Sequence, residues 1–192
     1  MSTHNIGRSA ALAAAAFALP VVLGVAAPTF ADEAQAGPFG PACASVPKEG
    51  SGSLAGMAKD PVATAASNNP ALSTLVTAVK KAGLVDTLNN AKGITVFAPT
   101  NAAFAKIPTA ELTKILADKA ELTKILTYHV VGESITPKQL AAGTFKTLEG
   151  GSLTTAGSGE SFNVNGKAKI VCGDIQTANA TVNIIDSVLT PN

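Results

Sequence analysis

The sequence predicts an α+β domain, on three observations. Apolar residues recur at helical spacing through the first half of the chain that follows the leader. Short β-prone runs, separated by turn residues, fill the second half. One strand-like run, Thr95-Val96-Phe97, stands early among the helices. Helices first and strands later, without regular βαβ alternation, is an α+β order.

The elements follow in turn. Residues 1–31 read as a secretory signal: Arg8 gives a positive start and Ala10 to Ala27 an apolar run broken by Pro20 and Gly24. Cleavage is expected after Ala31 or as late as Ala36, and an uncleaved membrane anchor is the alternative. No leucine-led lipoprotein pattern precedes Cys43, so a soluble product is expected. Residues 32–57, rich in Gly, Pro and Ser from Gly37 onward, read as an extended arm held at Cys43, and 58–192 as the folded domain.

Order is expected to begin at Asp60-Pro61, an N-cap with proline at the first helical position, and Asn69-Pro70 repeats the signal. Leu72, Leu75, Val76 and Val79 form one helical face, Lys80 and Lys81 suit the C-terminal dipole, and Gly83 is the expected C-cap. Leu84 to Leu88 add a further turn. Ala-Glu-Leu-Thr-Lys-Ile-Leu occurs at 110–116 and again at 120–126. An offset of ten residues would rotate the two apolar stripes by about 280° on one helix, so two helices meeting at Asp118 are expected. Thr136-Pro137 should cap a short helix ending at Gly143. Strands are expected at 145–148, 152–155, 161–164, 168–171 and 181–189, with Asn165-Gly166 as a hairpin turn and Gly157 to Gly159 as an exposed loop.

Charge excludes some partners. Of 14 basic residues one, Arg8, lies in the leader, which leaves 13 against 13 acidic ones. A chain so balanced lacks the basic footprint that nucleic acid or an acidic membrane face requires. The two cysteines, Cys43 and Cys172, are expected to pair after export. Closing so long a loop is worth about 4–5 kcal/mol in the chain-entropy description. Two thiols remain the alternative, and two lone sulfurs make a poor metal site.

Residues 95–104 carry the densest information. Thr95, Val96 and Phe97 suit a strand, Pro99 removes a donor, Thr100 can cap a helix starting at Asn101, and Phe104 lies a turn on, placed to pack back on the core. With Tyr128-His129-Val130-Val131 and the closing Asn179 to Leu189 stretch, which contains Asp186, this decapeptide resembles the fasciclin-domain family over residues 58–190. Within that family the chain is similar to the small secreted mycobacterial immunogens, in Asp60-Pro61-Val62, Ala66 to Pro70, Val171-Cys172-Gly173 and the cysteine pairing. The resemblance implies short helices on a wedge of mostly antiparallel strands. It also implies a secreted protein acting by surface contact, with no established enzyme activity and no cofactor.

His129 is the single histidine after the leader, and Tyr128 the single tyrosine in the chain. The preferred expectation for His129 is structural: a buried imidazole bonded to Asn101 or another polar group of the first signature, fixing a helix-to-strand junction. A partner-contact role is the alternative, since the Tyr-His region of animal members is linked to integrin binding. Coordination of haem iron by Tyr128 or His129 is the remaining one. Enzyme patterns are weak. There is no Gly-x-Ser-x-Gly elbow, Asp86, Asp174 and Asp186 form no recognisable carboxylate pair, and Gly157 to Phe162 lacks the third glycine of a dinucleotide loop. Asn179-Ala180-Thr181 is formally a glycosylation sequon.

The expectation is therefore a secreted, monomeric, non-enzymatic adhesion or interaction module for an extracellular protein or matrix component. The two alternatives are a carrier of a small hydrophobic ligand or haem, and a structural, loosely cell-wall-associated protein. The residues expected to matter are Thr95, Phe97, Pro99, Thr100, Asn101, Phe104, Tyr128, His129 and Asp186.

Overall fold

The computed structural model describes residues 37–191. The leader, its cleavage points and residues 32–36 lie outside the described residues. A 3-10 turn, Pro41–Ser45, precedes α1 (Leu54–Met57) and α2 (Val62–Ser67). A second 3-10 turn, Pro70–Leu72, runs into α3 (Ser73–Ala82), followed by α4 (Val85–Asn90). Strand β1 (Ile94–Pro99) leads to α5 (Asn101–Ala105), α6 (Thr109–Ala117) and α7 (Lys119–Tyr128), then β2 (Val130–Val131) and α8 (Pro137–Leu140). The chain ends in a run of strands: β3 (Ala142–Lys146), β4 (Ser152–Ser158), β5 (Ser161–Val164), β6 (Ala168–Gln176) and β7 (Ala180–Ile185).

All seven strands form one sheet in the order β2-β1-β7-β6-β5-β4-β3, antiparallel throughout except for the parallel pair β1 and β7. Its two ends meet. Val131 bridges Thr147, just past β3, and the Leu148 amide donates to the Val130 carbonyl at 2.8 Å. The sheet thus curls into a wedge in which β1 and β7 are buried on both faces, while β3 and β4 alternate exposed and buried residues. The α+β expectation holds.

The strand period of two explains how one sheet serves two cores. Ile94, Val96 and Ala98 of β1, with Val182 and Ile184 of β7, face the helical layer. Phe97 and Ile185 face the wedge interior, among Phe39, Phe145, Leu153 and Phe162. Phe39 and Phe162 meet edge to face with ring centroids 5.1 Å apart, a favourable geometry for aromatic pairs.

Several local expectations are corrected. The arm is not extended from Gly37 onward. Phe39 and Val46 are buried, Phe39 pairs with Gly173, and the Cys43–Cys172 disulfide ties the segment to β6. Asp60 does not cap α2; Asn179 accepts the Val62 amide at 2.8 Å and Asn89 the Ala63 amide at 3.0 Å. The helix after Thr136 stops at Leu140, and Gly143 lies in β3 opposite Thr155. A Cβ on Gly143 would meet the Phe145 ring and the Gln139 carbonyl, so the strand needs glycine there. Gly157 and Ser158 belong to β4, which turns tightly into β5. The last strand ends at Ile185, before Asp186.

Other expectations stand as made. Gly83 is left-handed at φ 75°, Asp118 caps α7 through the Ala120 and Glu121 amides, and Thr100 caps α5 through the Ala103 amide. Asn165 and Gly166 both have positive φ, 52° and 63°, the twist that a two-residue hairpin requires.

Candidate functional site

The three sequence signatures converge on the end of α7. His129 is the C-cap of that helix, and its ring turns back so that Nδ1 lies 2.8 Å from the Ile125 carbonyl, four residues earlier. On the other side Nε2 lies 2.9 Å from the Leu189 amide. A carbonyl only accepts and an amide only donates, so the pair of contacts assigns the neutral tautomer with hydrogen on Nδ1. Burial, opposed by the bond to Ile125, pulls the His129 pKa from 6.5 down to about 4. The His129 carbonyl accepts the Phe97 amide at 2.8 Å, which joins the first signature to the second. The expected partner Asn101 is elsewhere. Its carboxamide accepts the Thr74 amide at 2.9 Å and donates to the Pro70 carbonyl at 2.9 Å, stitching α5 to the start of α3.

Tyr128 is buried. Its hydroxyl donates to the Ser152 carbonyl at 3.0 Å and accepts from Asn165 Nδ2 at 3.1 Å. Asn165 Oδ1 in turn accepts the Thr154 amide at 2.9 Å. Thr95, fully buried, donates to the Glu133 carbonyl and accepts the Ile135 amide, pinning the turn after β2. Pro99 ends its strand opposite Ile185, whose carbonyl accepts the Thr100 amide at 3.1 Å. Phe104 is buried in the helical core. Asp186 accepts from the Lys169 amide, the Ser187 hydroxyl and Lys106 Nζ. Partial burial pushes its carboxyl up, but those donors together outweigh it and hold the pKa below the usual range.

The sequence missed the most connected polar side chain. Asn179 Oδ1 accepts from Val62, while Nδ2 donates to the carbonyls of Leu88, Asn89 and Ala91. The formal sequon hid this role, because the same residue that would accept a glycan is spent on capping α2 and closing α4. Asn183 was missed too. Fully buried in β7, it accepts the Asp174 amide at 3.0 Å and so holds Asp174 at φ 56° in the bulge of β6. Burial raises the Asp174 pKa, offset in part by the Gln176 side chain.

Two recesses flank the junction. One is a cleft of about 280 Å³ and mixed polarity beside Tyr128, walled by Ser152, Thr154, Asn165, Lys167 and Thr190 with Val188 and Leu189. The other is a narrow apolar crevice of about 50 Å³ between the helices and β1. Among the described residues, no group of three His, Cys, Asp or Glu side chains is placed to hold a metal ion, and no helix is long and apolar enough to cross a membrane. With both imidazole nitrogens and the phenol engaged, neither His129 nor Tyr128 presents a free donor atom to a haem iron.

Comparison with known proteins gives a consistent result. The profile of the fasciclin domain matches residues 70–191. Immunogenic protein MPB70 of Mycobacterium bovis is 47% identical over 191 residues, covering 95% of this chain and 92% of its own. The cell surface glycolipoprotein MPT83 of Mycobacterium tuberculosis is 52% identical over 147 residues, 74% of this chain and 66% of that one. Among solved structures, a FAS1 domain pair from the insect cell adhesion molecule Fasciclin I superposes with a TM-score of 0.58 at 21% identity. That match covers 71% of this chain and 52% of the pair, and it bears on the fold alone.

Proposed function

Because this chain belongs to the fasciclin family, we infer that it is a secreted, non-enzymatic interaction module that binds an extracellular protein or matrix component through its surface. The observation that supports this reading most is the commitment of the signature side chains. Thr95, Asn101, Tyr128, His129 and Asp186 each spend their polar atoms on bonds within the fold. A nucleophile or general base needs a free, substrate-facing atom, and none of these five offers one. The relatives named as an immunogenic protein and as a cell surface glycolipoprotein favour exposure outside the cell.

The contact face we assign is the cleft beside Tyr128. Its hydroxyl-bearing and amide walls with a single ammonium, Lys167, and an apolar side of Val188 and Leu189 suit a partner of mixed polarity, and exposed large hydrophobic residues are limited to Leu148 among the described residues. A face of this kind supports weak, specific and wet association in place of permanent assembly, in keeping with a monomer. The test is binding of labelled protein to cells of the producing organism and to matrix-coated surfaces. Saturable binding that Thr154→Arg or Lys167→Glu lowers at least tenfold is the expected result. Binding that is unsaturable, or indifferent to both changes, defeats the assignment.

A further inference from the structure

The cleft beside Tyr128 is continuous with the exposed side of the late strands. A period of two puts Thr144 and Lys146 of β3, Ser152 and Thr154 of β4, and Lys169 of β6 at exposed positions. Thr144 stands opposite Thr154, and Lys146 opposite Ser152, a residue of the cleft wall. The charge on these strands has one sign at the surface. Lys146, Lys167 and Lys169 are exposed, and none of them is in an ion pair among the described residues. Within β3 to β6 the carboxylate is Asp174, and it is buried. Acids in the flanking turns are already matched: Glu149 pairs with Lys124 at 3.8 Å and Asp186 with Lys106 at 3.3 Å. Glu160 lies in the turn at the other end of β4.

The cleft itself is held in shape from within. Asn165 donates to the Tyr128 hydroxyl at 3.1 Å and accepts the Thr154 amide at 2.9 Å, so little ordering is left for a ligand to impose. Apolar Val188 and Leu189 meet the hydroxyls of Ser152, Thr154 and Thr190 and the Lys167 ammonium there. A pyranose ring divides the same way, with C–H bonds on its faces and hydroxyls around its rim. Clefts for drug-sized ligands begin at about 300 Å³, and 280 Å³ suits a ring-sized unit. Charge selects among sugars, because an unpaired ammonium favours a carboxylate. Other anions fit less well. Nucleic acid is held through about 6–10 phosphates or by stacking on aromatic side chains, and three lysines on a face with no exposed aromatic supply neither. An acidic peptide needs aromatic or apolar anchors in pockets of its partner. Resting on the reading of this cleft as the contact face, we propose that it seats a carboxylate-bearing sugar of an acidic glycan. The carboxylate lies on Lys167, and the neighbouring rings cross the threonine and serine positions towards Lys146.

The test is amide NMR of the purified, disulfide-bonded protein titrated with trigalacturonate, with its fully methyl-esterified form and hexaglutamate as comparisons. Saturable shifts are expected at Ser152, Thr154, Asn165 and Lys167, with Leu75 and Ala78 of α3 unmoved. The ester, which keeps the rings and loses the charge, should bind about fivefold more weakly or worse, and so should hexaglutamate, which keeps the charge and loses the rings. Lys167→Gln should cost a similar factor, while Lys80→Gln on α3 should change nothing. Thr154→Arg adds positive charge but fills the cleft, so it too should weaken trigalacturonate. Trigalacturonate that shifts none of the cleft amides overturns the inference. So does an ester that binds as tightly, hexaglutamate that binds the same amides as tightly, or tighter binding by Thr154→Arg. The two levels of the account fail separately. Cell binding that still falls with Thr154→Arg and Lys167→Glu, without any response to trigalacturonate, leaves the contact face standing and removes the sugar. Cell binding indifferent to both changes removes the face.

Discussion

At the scale of single residues, the chain places polar side chains in apolar surroundings and satisfies nearly all of them, as buried polar groups require. His129 shows the consequence for pH. Above pH 6.5 its ring is neutral in folded and unfolded chains alike. Between 6.5 and 4 the unfolded chain takes up a proton that the folded one refuses, because Nε2 is already an acceptor for Leu189. Stability therefore falls as pH falls through that window, by about 3 kcal/mol in all, and the loss stops growing below pH 4. Urea unfolding at pH 7 and pH 4.5 should show most of this drop in the native chain, and His129→Gln should lack it while being less stable at pH 7. Equal acid sensitivity in the two proteins would refute the assignment. Asn179 gives a second case. Asn179→Ala removes one acceptor and the amide that serves three carbonyls, so the loss expected at pH 7 is about 2–4 kcal/mol. A loss under about 0.5 kcal/mol would mean that water replaces the amide without cost.

At the scale of elements, the disulfide joins residues 129 positions apart and fastens the segment around Phe39 to the bulged stretch of β6. Replacing Cys43 and Cys172 by alanine should cost about 4–5 kcal/mol, read as a lowered denaturation midpoint. A drop below about 1 kcal/mol would place the stabilisation in Phe39 packing instead. This region also marks where the sequence stopped being informative. Helix caps and turns are local chemistry, so Thr100, Asp118, Gly83 and Asn165-Gly166 announced themselves from neighbours a few residues away. The cap of α2 is not local, because its acceptor Asn179 lies 117 residues on. The same holds for His129, whose second partner is 60 residues distant, while the plausible Asn101 serves another helix. Periodicity located the strands but not their ends. Gly143 and Gly157 looked like punctuation, yet both sit in strands, and Gly173 of β6 lies under Phe39, where a Cβ would strike the aromatic ring. The convergence of the signatures was legible as a family pattern, and its hydrogen bonding was not.

At the scale of the whole molecule, one curled sheet divides two cores, and its two ends meet at the Val131–Thr147 bridge. What remains for recognition is the outer surface and its recesses. The central claim is that the Tyr128–His129 junction builds the fold while the neighbouring cleft makes the contact. Binding of labelled His129→Gln and Thr154→Arg proteins to the same cells, at a temperature where both are folded, separates these roles. The account predicts a lower denaturation midpoint with unchanged affinity for His129→Gln, and an unchanged midpoint with at least tenfold weaker binding for Thr154→Arg. Full stability with lost binding in His129→Gln would contradict it.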